Sequence, residues 1–183
     1  MNFFAGDHTS PEHVKLNPNA TVPVAVDDDL VLWESNAILQ YAADKVANAQ
    51  AYPQELKARA DVNRWLLWEA SVWFPCCYAF LVENVGKPLQ GAEPDPAVLS
   101  AQTERFHALA AVVDARLANN QWITGDTPTI ADIAVAAPIH MHGEAKVPLA
   151  DHKNLHRWMT ENLEKLPSWE NTYVGPGFSL EKP

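Results

Sequence analysis

Apolar residues fall in two regimes along the chain. Near the start they form short, β-branched runs; from about residue 55 they recur at three- and four-residue spacing. Val22-Pro23-Val24-Ala25-Val26 is one run and Leu30-Val31-Leu32-Trp33 another, with Asp27-Asp28-Asp29 between them. Two such runs around a three-residue polar turn predict an antiparallel hairpin. Pro23 lacks an N–H, so it belongs at a strand start or edge. Apolar positions 37, 38, 41 and 42 then predict a helix, with Ser35 as its N-cap. Asn48 to Gln54 reads as a linker. A long helix follows from Glu55 to about Asn84, kinked where Pro75 removes the N–H that would bond Ser71. Gly86 to Pro96 is turn-rich. Asp95-Pro96 opens a helix running to about Asn119. Thr129-Ile130-Ala131-Asp132 has capping-box form and starts a helix to about His142. A last helix covers about His152 to Lys165 and ends before Pro167. The fold class is therefore α/β plus all-α: a small α/β unit over 1–47, a linker over 48–54 and an all-helical unit over 55–183.

Charge narrows the partners. Thirteen Lys and Arg stand against 23 Asp and Glu, a net of −10 over 183 residues. Half of that excess, seven acidic against two basic side chains, lies in residues 1–47. Phosphate contacts need a cationic face, so no nucleic-acid partner is expected, and no anionic membrane either. The longest uncharged stretch, Ala70–Val82, is shorter than the ~20 residues of a spanning helix. None of the seven glycines forms a dinucleotide or P-loop phosphate cradle. Cys76 and Cys77 are adjacent and cannot staple distant segments. No basic leader followed by an apolar run is visible at the start, and the expectation is a cytoplasmic protein.

Few side chains suggest chemistry by themselves. Glu34-Ser35 stands where a strand passes into a helix, and the free N–H groups of a helix start attract carboxylates. An ordinary helix cap has the same signature. Thr129 and Asp132 read as a structural cap. Trp65, Trp68, Trp73, Phe74 and Tyr78 form an aromatic stripe that suits core packing or the wall of a pocket. The cysteines read as buried filler. His152 and His156 have a metal-compatible spacing, but no third ligand accompanies them; His140 and His142 share no helical face. No metal site is expected.

Three segments in order carry a resemblance: His8-Thr9-Ser10-Pro11-Glu12 with Leu16-Asn17-Pro18-Asn19; Val22-Pro23-Val24 with Leu30 to Ile38; and Ile123 to Asp132. Together they resemble the cytosolic glutathione S-transferase superfamily, in the manner of its bacterial and theta-like members. The resemblance implies a thioredoxin-like glutathione-binding unit, here partial (hairpin plus helix), joined to the family's helical C-terminal domain. It implies that Ser35 meets the γ-glutamyl carboxylate of glutathione and Glu34 its ammonium. Val22, before a cis Pro23, would pair with the cysteinyl backbone, and His8 would lie near the glycine carboxylate. Thr21 departs from the family pattern, where Lys is frequent. In the family, glutathione thiolate attacks a small hydrophobic electrophile in detoxification, and the proteins are usually homodimers. The Ser, Tyr or Cys that activates the thiol belongs to a β-α-β unit preceding the stretch that Asn2-Phe3-Phe4-Ala5-Gly6-Asp7-His8 resembles. No catalytic residue is therefore expected within this sequence. A non-catalytic dimerisation or ligand-binding module on the same fold is the alternative.

Overall fold

The first two apolar runs pair as the expected hairpin. In the computed structural model, which describes residues 5–172, β1 (Val24–Asp27) pairs antiparallel with β2 (Leu30–Trp33), in the register Val24↔Trp33 to Asp27↔Leu30. The likeness drawn for Asn2-Phe3-Phe4 lies outside the described residues. Asp27 belongs to β1, so the turn is Asp28-Asp29 alone and not three residues long. Asp28 makes this possible by adopting φ 52°, a left-handed value that Asp tolerates better than most residues. Pro23 immediately precedes the strand. Upstream, α1 (Pro11–Leu16) is capped by the Ser10 hydroxyl, which accepts from the His13 N–H.

β2 runs almost directly into α2 (Ser35–Lys45). The predicted cap is displaced by one residue: Glu34 is the N-cap and Ser35 the first helical residue. Glu34 sits at φ 74°, and that turn of the backbone bends the chain from strand into helix. α2 packs on β2 and on the later helix Ile130–Ala136, with Ala43 buried.

The segment 48–54 is irregular but anchored. Tyr52 is buried, its hydroxyl bonds Asn63 at 2.8 Å, and the Ala51 carbonyl accepts from the Ile130 N–H at 2.9 Å. Beyond it a helical rod runs from Leu56 to Leu89, past the predicted end at Asn84. It consists of α3 (Leu56–Trp68), a π-turn (Glu69–Trp73), α4 (Phe74–Leu81), a second π-turn (Val82–Gly86) and α5 (Lys87–Leu89). Pro75 falls in the first turn of α4, where its missing N–H disturbs the ladder least, and the π-turn before it absorbs the irregularity. By length and composition the rod could cross a membrane. In this fold Trp65, Leu66, Trp73, Cys76, Cys77 and Phe80 bury its inner face.

That inner face packs on α6 (Pro96–Leu117) and α7 (Ile130–Ala136), and α6 packs on α8 (Lys153–Arg157). The Asp95 carboxylate caps α6, as the sequence predicts. The Thr129–Asp132 capping box forms in full around α7. α7 continues as a 3-10 turn to Ile139, short of the predicted His142, because Pro138 interrupts the ladder. α8 passes into a π-turn (Trp158–Leu163). Pro167 does not merely end a helix; it opens α9 (Pro167–Thr172), a favourable place for a residue without an N–H. The core centres on Trp73, Phe106, Ile123, Val135 and Trp158, each fully or almost fully buried.

Candidate functional site

The two longest helices and α7 are closed at the N-terminus by a side chain: Glu55 on α3, Asp95 on α6 and Thr129 on α7. α2 is not: no side chain caps it among the described residues. Its first residues, Ser35 and Asn36, line a cavity of about 760 Å³ between the hairpin end, α2, the α3–α4 rod and α7. Val22, Pro23, Glu34 and Ser35 all line this cavity, so the structure brings four of the five predicted site residues together. His8 lies on the short turn Asp7–Thr9, outside the cavity lining.

The entrance is shaped by two backbone features. The Val22–Pro23 peptide bond is cis. Val22 precedes the first ladder pair and lines the cavity; among the described residues no strand pairs with it. The preceding Thr21 carbonyl is held from two directions, by His13 Nε2 at 2.9 Å and by Asn17 Nδ2 at 2.9 Å. Asn17 is fully buried, and its Oδ1 accepts from the Asn19 N–H at 3.0 Å. Glu34 supplies the second feature through its positive φ; such residues cluster where structure serves a ligand.

Two residues that the sequence reading did not single out complete the polar wall. Asn36 donates through Nδ2 to the Leu66 carbonyl at 2.9 Å and to Glu69 Oε2 at 2.8 Å. Glu69 is 4% exposed, although a carboxyl is rarely buried this far. Burial pushes its pKa up, and the Asn36 amide works against that rise. One signal was available: Glu69 is the only charged residue between Arg64 and Glu83.

The aromatic stripe divides. Trp65 and Trp73 are core, and the Trp73 indole N–H bonds the Val135 carbonyl at 2.8 Å. Phe74 and Tyr78 stand 43% and 40% exposed, stacked with ring centroids 5.1 Å apart, and line the same cavity as Glu34 and Ser35. Cys76 and Cys77 are fully buried, and burial raises the pKa of both thiols. His152 meets His107 at 3.0 Å.

Comparison with known proteins agrees with this geometry. The family described as Glutathione S-transferase, N-terminal domain matches residues 1–44, and Glutathione S-transferase, C-terminal domain matches residues 72–165. The chain belongs to the glutathione S-transferase family. Glutathione S-transferase GstB of Escherichia coli is 31% identical over 87% of this chain and 77% of its own. A probable glutathione S-transferase of Oryza sativa, GSTF2, is 30% identical over 90% of this chain and 78% of its own. Among solved structures, a theta-class glutathione S-transferase from Xanthomonas axonopodis pv. citri, with glutathione bound, superposes with a TM-score of 0.81. It shares 30% identity and covers 92% of this chain and 79% of its own. The two-stranded sheet with its helices and the helical second part are thus the architecture of this transferase family.

Proposed function

We propose that this glutathione S-transferase-like chain binds glutathione in the cleft at the start of α2 and holds a small hydrophobic electrophile against Phe74 and Tyr78. The uncapped N-terminus of α2 carries the reading: no side chain caps it among the described residues, and Glu34, Ser35 and Asn36 at its start line the cavity. Ser35 and the first N–H groups of α2 take the γ-glutamyl carboxylate, and Glu34 takes the ammonium. The Val22 backbone, turned by the cis Pro23, pairs with the cysteinyl backbone, and His8 lies toward the glycine end. Residues 1–47 are read as the glutathione-binding domain, 48–54 as the linker and 55–183 as the helical domain, in a homodimeric, cytoplasmic protein. The associated reaction is attack of glutathione sulfur on the electrophile, as in detoxification. These assignments concern binding and positioning; no residue of this sequence is assigned to activating the thiol.

The test combines retention on immobilised glutathione with conjugation of chlorodinitrobenzene. Retention with turnover supports the enzyme, and retention without turnover supports the ligand-binding module on the same fold. A folded protein that is neither retained nor active overturns both.

A further inference from the structure

The second occupant of the cleft can be described more closely from the groups that face it. Glu34 is already assigned to the ammonium of glutathione. Glu69 is a second carboxyl in the same cavity and is almost fully buried. Its neighbour Asn36 spends both amide hydrogens on Leu66 and Glu69, which leaves its buried Oδ1 without a hydrogen-bond partner. A buried acceptor of this kind is a position for a donor. Among the described residues that line the cavity there is no Lys, Arg or His. Phe74 and Tyr78 lie nearly parallel, 14° between planes, and both stay partly exposed on the cavity side. Aromatic faces attract a cation electrostatically, and they also stack on another flat ring.

We propose that the non-glutathione occupant of this cleft is a planar aromatic compound bearing an ammonium group, its ring stacked on Phe74 and Tyr78 and its N–H donors directed to Glu69 and Asn36 Oδ1. The proposal rests on the reading of the cleft as a glutathione site and names the class of compound held beside the tripeptide. An anionic aromatic of the same shape meets two carboxyls and no cation, and is disfavoured. A neutral one keeps the stacking and loses the charge contact. Because the cation needs Glu69 ionised, its affinity falls as the pH is lowered through the raised titration range of that carboxyl.

The experiment is calorimetric titration of the full chain with three matched probes: naphthylmethylamine, naphthylmethanol and naphthylacetate. The ammonium is expected to bind about tenfold tighter than the acetate, with the alcohol between. Glu69→Gln, which keeps the shape and the Asn36 contact, is expected to remove the ammonium's advantage over the alcohol. The double variant Phe74→Leu with Tyr78→Leu is expected to weaken the ammonium and the alcohol alike. If the acetate binds as tightly as the ammonium, or if no probe binds, the proposal is wrong. The ranking is measured on the unaltered protein, so it decides the question even if a variant misfolds. Glutathione retention, measured on the same sample, separates failure of this proposal from failure of the glutathione reading.

Discussion

Removing one buried carboxylate should unlatch the helical core. Asp132 is fully buried and accepts four hydrogen bonds. Its Oδ1 receives the Ile123 N–H at 2.8 Å and the Trp158 indole N–H at 3.0 Å; its Oδ2 receives the Thr129 N–H at 2.9 Å and the Thr129 hydroxyl at 3.2 Å. Those donors come from the loop before α7, from its cap and from the π-turn after α8. Asp132→Ala strands at least three of them away from water, at about 1–3 kcal/mol for each buried group left unpaired. Partial relaxation brings the expected loss to about 3–5 kcal/mol, below the full sum for three stranded donors. Thr129→Ala removes only the other half of the cap and should cost about 1 kcal/mol. Asp132→Asn keeps the Oδ1 contacts and turns an amide toward the Thr129 donors, so it should fall between the two. Urea unfolding at constant slope measures all three. A loss below about 1 kcal/mol for Asp132→Ala, or no difference between Asp132→Ala and Thr129→Ala, would refute the idea that this carboxylate ties three elements together.

Three other outcomes follow from the same structure. Ala20 sits at φ 54°. Ala20→Gly should relieve about 1–2 kcal/mol of left-handed strain and lose about 0.5–1 kcal/mol to unfolded-chain entropy, so thermal unfolding should shift slightly upward, and a clear downward shift would count against it. Asp114 on α6 accepts the Asn154 and Leu155 N–H groups at 2.6 and 2.9 Å and so caps α8 from a distance. Although burial acts to raise its pKa, those bonds and the nearby His152 hold it below the usual carboxylate range. The stabilisation is therefore present above the unfolded pKa and lost as pH falls through the folded one. Asp114→Asn should cost about 1 kcal/mol near pH 7 and progressively less below about pH 4, as read by denaturant midpoints; a deficit that grows on acidification would contradict the sign. In residues 5–47 only His13, Asn17 and Ala43 are buried, so amides of β1 and β2 should exchange with deuterium faster than those of α6. Equal protection would show that the hairpin is as firmly held as the core.

The local parts of this fold were legible in the sequence because their causes are local. Two short apolar runs around a polar Asp turn specify the hairpin, and Thr129 with Asp132 specifies the cap of α7. The cleft residues Val22, Pro23, Glu34 and Ser35 could be named because two short segments, Val22-Pro23 and Glu34-Ser35, resemble the family's motifs. Where the reading slipped, a backbone angle decided the outcome: φ 52° at Asp28 shortens the turn, and φ 74° at Glu34 moves the cap. Pro75 suggested a kink in the rod, yet nothing in residue spacing reveals that a π-turn from Glu69 to Trp73 takes it up. Long-range partners were out of reach for the same reason. Asn36 meets Glu69 across 33 residues, and His107 meets His152 across 45. Only packing between elements brings such pairs together.

The central claim is that glutathione occupies the start of α2. Amide chemical-shift mapping during titration of the ¹⁵N-labelled protein with reduced glutathione tests it most directly. Glutathione bound there gives the largest shifts at Val22, Ser35, Asn36 and Ala37 and leaves α6 and α8 unaffected. Shifts that are absent at millimolar glutathione, or that gather away from the α2 N-terminus, would contradict it.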